Sequence, residues 1–368
     1  MGLKMLFSIS FFQWVLFVQS MEPFVYDVNL AGAIGDGESD DTEAFKNAWN
    51  VVCSSHISSG IFRVPYGQKF LLQPLTFNGE CRPKNITFQI DGILIAPSDP
   101  SSWKCKETNC NNWITFQHFD GLIIQGTGSL HGQGQKWWQM GCMHNKVLCS
   151  SQKAASFAIL DSKNVHISGL TSVDSRKWHI SIERSSSVHA SKLTYLFVFI
   201  FHSYRISIGS LGENGRRETV EYVTVRRANF YATENGLKIK TWQGGHGYAR
   251  YIRFEHISFS KVIRPIIIDQ YTCPLHQHCK NYSTAVEISN ILYNDLRGTT
   301  NGEIAVELSC SKSVPCKNIR MKDIQLDYGI NGKMYDGHPK SHCLNVVQSW
   351  DEGYVYPNVH CLTKKLSY

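Results

Sequence analysis

The chain has 368 residues, 12 cysteines and a formal net charge of +7, from 37 Lys and Arg against 30 Asp and Glu. Such a length admits two ordinary domains or one large repetitive one. Basic residues are scattered rather than clustered, which argues against nucleic acid and suits a polyanionic partner or a charged matrix.

Met1 to Ser20 carries Lys4, then a mostly apolar run from Leu6 to Val18, then Val18-Gln19-Ser20. This order predicts a signal peptide over 1–20, with small residues placed for cleavage before Met21. The apolar run is short for a membrane span, so an exported domain over 21–368 with no membrane anchor is expected. Asp41 to Cys53 has helical spacing, with Ala44, Phe45, Ala48, Trp49 and Val52 on one face and Asp41 placed to cap it. The cysteines fall into local pairs: Cys105 with Cys110, Cys142 with Cys149, Cys273 with Cys279, and Cys310 with Cys316. Cys53 with Cys81 and Cys343 with Cys361 complete an even set, although spacing alone does not fix connectivity. An oxidising compartment favours disulfides over zinc, and no CxxC or HExxH spacing occurs. Asn85-Ile86-Thr87 and Asn281-Tyr282-Ser283 are glycosylation acceptor sequences.

From about Ile86 onward, short β-rich segments recur. Asn164 to Leu170 and Ser187 to Leu193 are two copies, with Val165 and Val188 in equivalent places. Others lie at Tyr222 to Val225, Tyr251 to Ile257, Ala285 to Ile291 and Asn318 to Ile324, where Val286 and Ile319 are read as equivalent. Strands repeating at this interval without helical patterns between them indicate a solenoid. A sandwich would show hairpin turns and closer turn signals. The expected fold is therefore all-β: one right-handed parallel β-helix with a short N-terminal capping helix. Beyond Tyr328 the repeat fades, and the tail is expected to form a C-terminal cap held by Cys343 and Cys361.

Several longer stretches then stand out: GAIGDGESDDTEAF at Gly32 to Phe45, GSLHGQGQKWW at Gly128 to Trp138, DSRKWHISI at Asp174 to Ile182, ISIGSLG at Ile206 to Gly212, NGLKIKTWQGG at Asn235 to Gly245, and PIIIDQ at Pro265 to Gln270. Together they resemble plant polygalacturonases of glycoside hydrolase family 28, across nearly all of 21–368. The resemblance implies a pectin-lyase-like β-helix, in agreement with the repeat. It also implies inverting hydrolysis of galacturonosyl bonds in pectin, by one aspartate in an Asn-Thr-Asp motif and two in an Asp-Asp motif. Inversion needs an acid and a base roughly 6.5–9.5 Å apart, with water between. A histidine in Gly-His-Gly and an Arg-Ile-Lys motif that grips sugar carboxylates complete the implied site.

The chain lacks both acidic motifs. Lys192 to Arg205, KLTYLFVFIFHSYR, stands where the family has a much longer segment. Tyr204 falls at the family's histidine, and His202 lies two positions earlier. Arg-Ile-Lys survives as Lys238-Ile239-Lys240, so Lys238 and Lys240 are the candidate substrate-binding residues. Lysine keeps the charge but loses the planar fork of arginine. The tyrosine that the family carries just before its cysteine is Thr272 here, beside Tyr271. No catalytic residue, metal ligand or cofactor is assigned, and a monomer is expected.

Other residues read as structural. Asp40-Asp41 belongs to the N-terminal signature, and Gly245-His246-Gly247 lies where the family has a glycine loop. Trp137, Trp138 and Trp178 suit packing, Ile266 to Ile268 a buried strand, and Asp174 and Asp269 structural hydrogen bonding. In Leu196 to Phe201 alternate side chains cannot all face inward, so an irregularity is expected near 195–205. Three functions follow: a pectin hydrolase, a galacturonan-binding wall protein without turnover, or a chain translated without one exon. Proton transfer requires groups that lysines alone do not supply, which favours little or no hydrolysis.

Overall fold

A computed structural model describes residues 23–104, 112–139, 155–196, 204–273, 282–330, 333–334 and 337–365. The repeated strands stack directly on one another. Val165 pairs with Val188, Val188 with Val223, Val223 with Ile252, Ile252 with Ile291, and Ile291 with Ile319, all in parallel. These six side chains are buried in one continuous core. The described strands form a 21-stranded and a 9-stranded sheet wrapped around that core. The architecture is a right-handed parallel β-helix, and among the described residues no sandwich hairpins interrupt it. The antiparallel pairing among described strands is the short contact of Lys333–Met334 with the end of Cys316–Ile330.

The Asn-Val/Ile onset of the repeat has a conformational cause. Asn164, Ser187, Tyr222, Tyr251, Asn290 and Asn318, each just before a stacked apolar residue, all have φ between 53° and 58°. A left-handed residue turns the chain at the coil corner, and asparagine tolerates that conformation best after glycine. A second column behaves alike at Gly169, Lys192, Arg227, His256, Asp295 and Asp323. The register corrects one expectation: Asn290-Ile291, not Val286, stands against Asn318-Ile319.

The helix Thr42–Ser54 closes the N-terminal end. Phe45, Ala48, Trp49 and Val52 are buried, while Ala44 is half-buried. Trp49 meets Phe62, Phe77, Phe88 and Phe119 with ring centroids 5.3–6.2 Å apart. Asp41 does not cap this helix through its side chain. Its buried carboxylate instead accepts backbone N–H bonds from Ile34 at 2.7 Å and Gly35 at 3.2 Å. Burial raises its pKa, against the lowering effect of those two bonds.

The C-terminal tail also departs from expectation. Lys340–Leu344, Val346–Val347 and Trp350–Tyr356 continue the parallel stack below Ile304–Ser309 and Cys316–Ile330. The tail thus adds a further coil, although its sequence pattern is weak. Disulfides join Cys53 to Cys81, Cys310 to Cys316 and Cys343 to Cys361, and Cys273 is disulfide-bonded as well. The expected signal peptide, the pairs Cys105–Cys110 and Cys142–Cys149, Cys279 and Asn281 lie outside the described residues. So do residues 197–203, on which the expected irregularity falls. Its flanks are regular: Tyr195 pairs with Ser172 and Phe230, and Ile206 with Ile180.

Candidate functional site

Asn235–Trp242 is a strand of the nine-stranded sheet, between Tyr204–Leu211 and Arg264–Thr272. Successive side chains of a strand point to opposite faces. Leu237 and Ile239 enter the core with no exposed surface, so Lys238 and Lys240 share the outer face. Gly209 permits the neighbouring strand to approach, because a Cβ there would collide with the backbone oxygen of Lys240. Its φ of 99° also suits glycine.

The register builds two rows across this face. One runs Ser181, Ser207, Lys238, Ile267 and Glu307. Ser181 and Ser207 are fully buried, and Lys238 is 5% exposed. The second row places Lys240 directly against Asp269. Lys238 Nζ lies 3.5 Å from Asp269 Oδ2. Burial, then the neighbouring charges of Lys238 and Lys177, pushes the Lys240 pKa down to about 7. An anion brought to this face would relieve that repulsion. The structure thus brings both predicted lysines together and adds Lys177 to them.

Carboxylates also border the lysines: the charges of Asp269 and Glu213 act on Lys240, and Asp269, Glu183 and Glu307 are already engaged. Asp269 accepts the backbone N–H of Tyr271 at 3.0 Å and the Thr272 hydroxyl at 3.4 Å, besides its contact with Lys238. Glu183, 4% exposed, accepts the Ser181 hydroxyl at 2.9 Å and faces Arg184 Nη1 at 3.5 Å. Glu307 faces Arg264 at 3.4 Å and accepts the Ser309 hydroxyl at 3.3 Å. Asp269 therefore combines the hydrogen bonding expected of it with a charge role that periodicity did not reveal. Only the strand register, which sets it against Lys240, carries that signal.

The remaining residues singled out in the sequence sit elsewhere. His246 is exposed and opens a strand of the larger sheet, His246–Val262. Asp40 faces Lys104 at 2.8 Å near the N-terminal cap. Asp174 is buried and accepts a 2.6 Å bond from the Gln135 amide. Trp137 and Trp178 are buried, and Trp138 donates its indole N–H to Arg176 O at 2.9 Å. The Arg176 guanidinium carbon lies over the rings of Trp103 and Trp137, at 3.4 and 4.3 Å, and burial lowers its pKa. Ile266, Ile267 and Ile268 are buried, as expected of a central parallel strand. Of Tyr204 the backbone alone is described; it pairs with Trp178. His202 lies outside the described residues.

Comparison with known proteins agrees with this architecture. The model of glycosyl hydrolases family 28 matches residues 53–196 and 202–350 and passes over 197–201. A probable polygalacturonase of Arabidopsis thaliana is 34% identical over 382 residues, covering 92% of this chain and 84% of the relative. The polygalacturonase of Prunus persica is 33% identical over 372 residues, covering 88% and 92%. Among solved structures, the Erwinia carotovora polygalacturonase superposes with a TM-score of 0.52 at 15% identity, over 94% of this chain and 96% of that one. An endo-xylogalacturonan hydrolase from Aspergillus tubingensis gives 0.52 at 17% identity, over 93% and 99%. These two establish likeness of fold. The extent of the family match and the identity to the plant relatives show that the chain belongs to glycosyl hydrolases family 28.

Proposed function

We propose that this family member binds pectic galacturonan on the lysine-bearing face of the nine-stranded sheet and turns it over little or not at all. The single observation that carries the reading is the clustering of Lys238, Lys240 and Lys177 beside carboxylates that are themselves bonded. A polyuronide presents one carboxylate per residue, which suits a row of ammonium groups. A charge-assisted hydrogen bond to such a group contributes about 1.5–3 kcal/mol.

Hydrolysis makes a different demand. An inverting acid must hold a proton near neutrality while its partner activates water. Glu183 and Glu307 are engaged with guanidinium groups and Asp269 with an ammonium. The segment 197–203 reads Phe-Val-Phe-Ile-Phe-His-Ser and supplies no carboxylate. The relatives are named polygalacturonases, so a hydrolase remains the competing reading. Export follows from the predicted signal peptide over 1–20, and the partner is the polysaccharide itself, which places the protein at the cell wall.

Calorimetric titration of the purified protein with oligogalacturonate tests the binding. Saturable affinity that falls in Lys238→Ala and Lys240→Ala is expected. Affinity absent in the parent protein, or indifferent to both substitutions, overturns the assignment of the lysines.

A further inference from the structure

A concavity adjoins the lysine face, past the ends of its strands. Gln243, three residues beyond Lys240, and Tyr271, two beyond Asp269, form its near wall. Tyr282, Thr284, Ser313 and Asn345 form the far wall. Its volume is about 580 Å³, within the roughly 300–1,000 Å³ of pockets that enclose small ligands.

The walls are braced. Tyr271 Oη donates to Cys310 O at 2.9 Å, and Asn345 Nδ2 donates to the same oxygen at 2.8 Å. Ser313 Oγ donates to Tyr282 O at 3.2 Å and lies 3.0 Å from Ser311 Oγ. Cys316 ties the turn back to Cys310. The Tyr282 ring rests against Gly244, where a Cβ would come within 2.9 Å of it. Gly244 N also donates to Thr284 O at 3.0 Å. Within this frame several polar groups remain unspent on the described residues: the Gln243 amide, the Tyr282 and Thr284 hydroxyls, and Asn345 Oδ1.

Aromatic faces with amide and hydroxyl groups match a sugar ring, which offers one apolar C–H face and a rim of hydroxyls. Charge is scarce here. Lys312, exposed, is the one charged residue among those described that line the pocket. The contrast with the lysine face is therefore chemical as well as spatial. We infer that this pocket is a subsite for an uncharged glycosyl residue, occupied while Lys238 and Lys240 hold the acidic chain. The inference builds on the galacturonan reading, but its test is independent of it.

Saturation-transfer NMR with two monosaccharides separates them: methyl α-D-galactopyranoside, which is neutral, and methyl α-D-galacturonoside, which is anionic. Transfer to the neutral sugar is expected. It should fall about fivefold in Tyr282→Ala, and fall also in Thr284→Val, which keeps the side chain's shape. It should be unchanged in the Lys238→Ala, Lys240→Ala double variant. Tyr282 is 50% exposed, so its truncation leaves the core intact. Absence of transfer to the neutral sugar, or transfer indifferent to both pocket variants, overturns the inference. Failure of the anionic sugar alone contradicts the galacturonan reading and leaves the pocket standing.

Discussion

Two columns of residues run along this solenoid and obey different rules. On the larger sheet, Val165, Val188, Val223, Ile252, Ile291 and Ile319 repeat one demand, an aliphatic side chain after a left-handed corner. On the nine-stranded sheet, Ser181, Ser207, Lys238, Ile267 and Glu307 share the same register but not the same chemistry. The first column is redundant, since each coil supplies what its neighbour supplies. The second is singular, since its coils bring serine, lysine, isoleucine and glutamate to one face. Architecture can thus persist while chemistry changes, because a coil needs only its neighbours to stack.

The largest effect should come from the larger sheet, in the buried row two residues along from Ile252 and Ile291. Phe254 is fully buried and stacks on Tyr293 at 5.2 Å. Phe254→Ala should lower unfolding free energy by about 3–5 kcal/mol, measured by denaturant titration. A loss below 1 kcal/mol would mean that this coil does not depend on its neighbours as described. Asp41→Ala comes next, removing the acceptor for the Ile34 and Gly35 N–H groups. It should cost about 1–3 kcal/mol, with helix content unchanged by circular dichroism, since Asp41 does not cap the helix through its side chain.

The lysine face should answer through binding and pH, here at Lys240 in the row beside the singular column. Lys240→Met should weaken oligogalacturonate binding about tenfold near pH 6. The parent's affinity should then decline as pH rises through about 7, where free Lys240 loses its proton, and the variant's should not follow. The sign for stability runs the other way. An unfolded lysine titrates near 10.4, so between about 7 and 10 the unfolded chain binds more protons than the folded one. Burial of the Lys240 charge therefore destabilises the fold fully below that window, and the penalty is relieved as pH rises through it. The stability advantage of Lys240→Met should narrow over the same range in thermal melts. The smallest effect belongs to a corner. Asn164, with φ of 53°, should lose about 1 kcal/mol on replacement by alanine, which enters the left-handed region less readily.

The fold was legible because its signal is repeated. Alternating apolar residues recur in coil after coil, with asparagine at three of the six corners, and the shifted register at Ala285 to Ile291 leaves the rest intact. The tail beyond Tyr328 escaped because its strands rely on pairing with the coil before them rather than on a pattern of their own. Lys238 and Lys240 could be singled out through a motif, whereas Asp269 and Lys177 could not be joined to them. Residues from different coils become neighbours only through register, which no single strand encodes. The pocket lined by Gln243, Tyr271, Tyr282 and Asn345 has the same origin, since it draws on five separate stretches of chain.

Binding and turnover are separate demands on the lysine face. Its most direct test is the release of reducing ends from polygalacturonic acid, followed with purified protein at a substrate concentration that saturates the calorimetric binding. Saturation with no release above a protein-free control is the predicted result. Steady release by the parent protein that disappears in Asp269→Asn would contradict it, and would make Asp269 the acid or base that the lysine face was taken to lack.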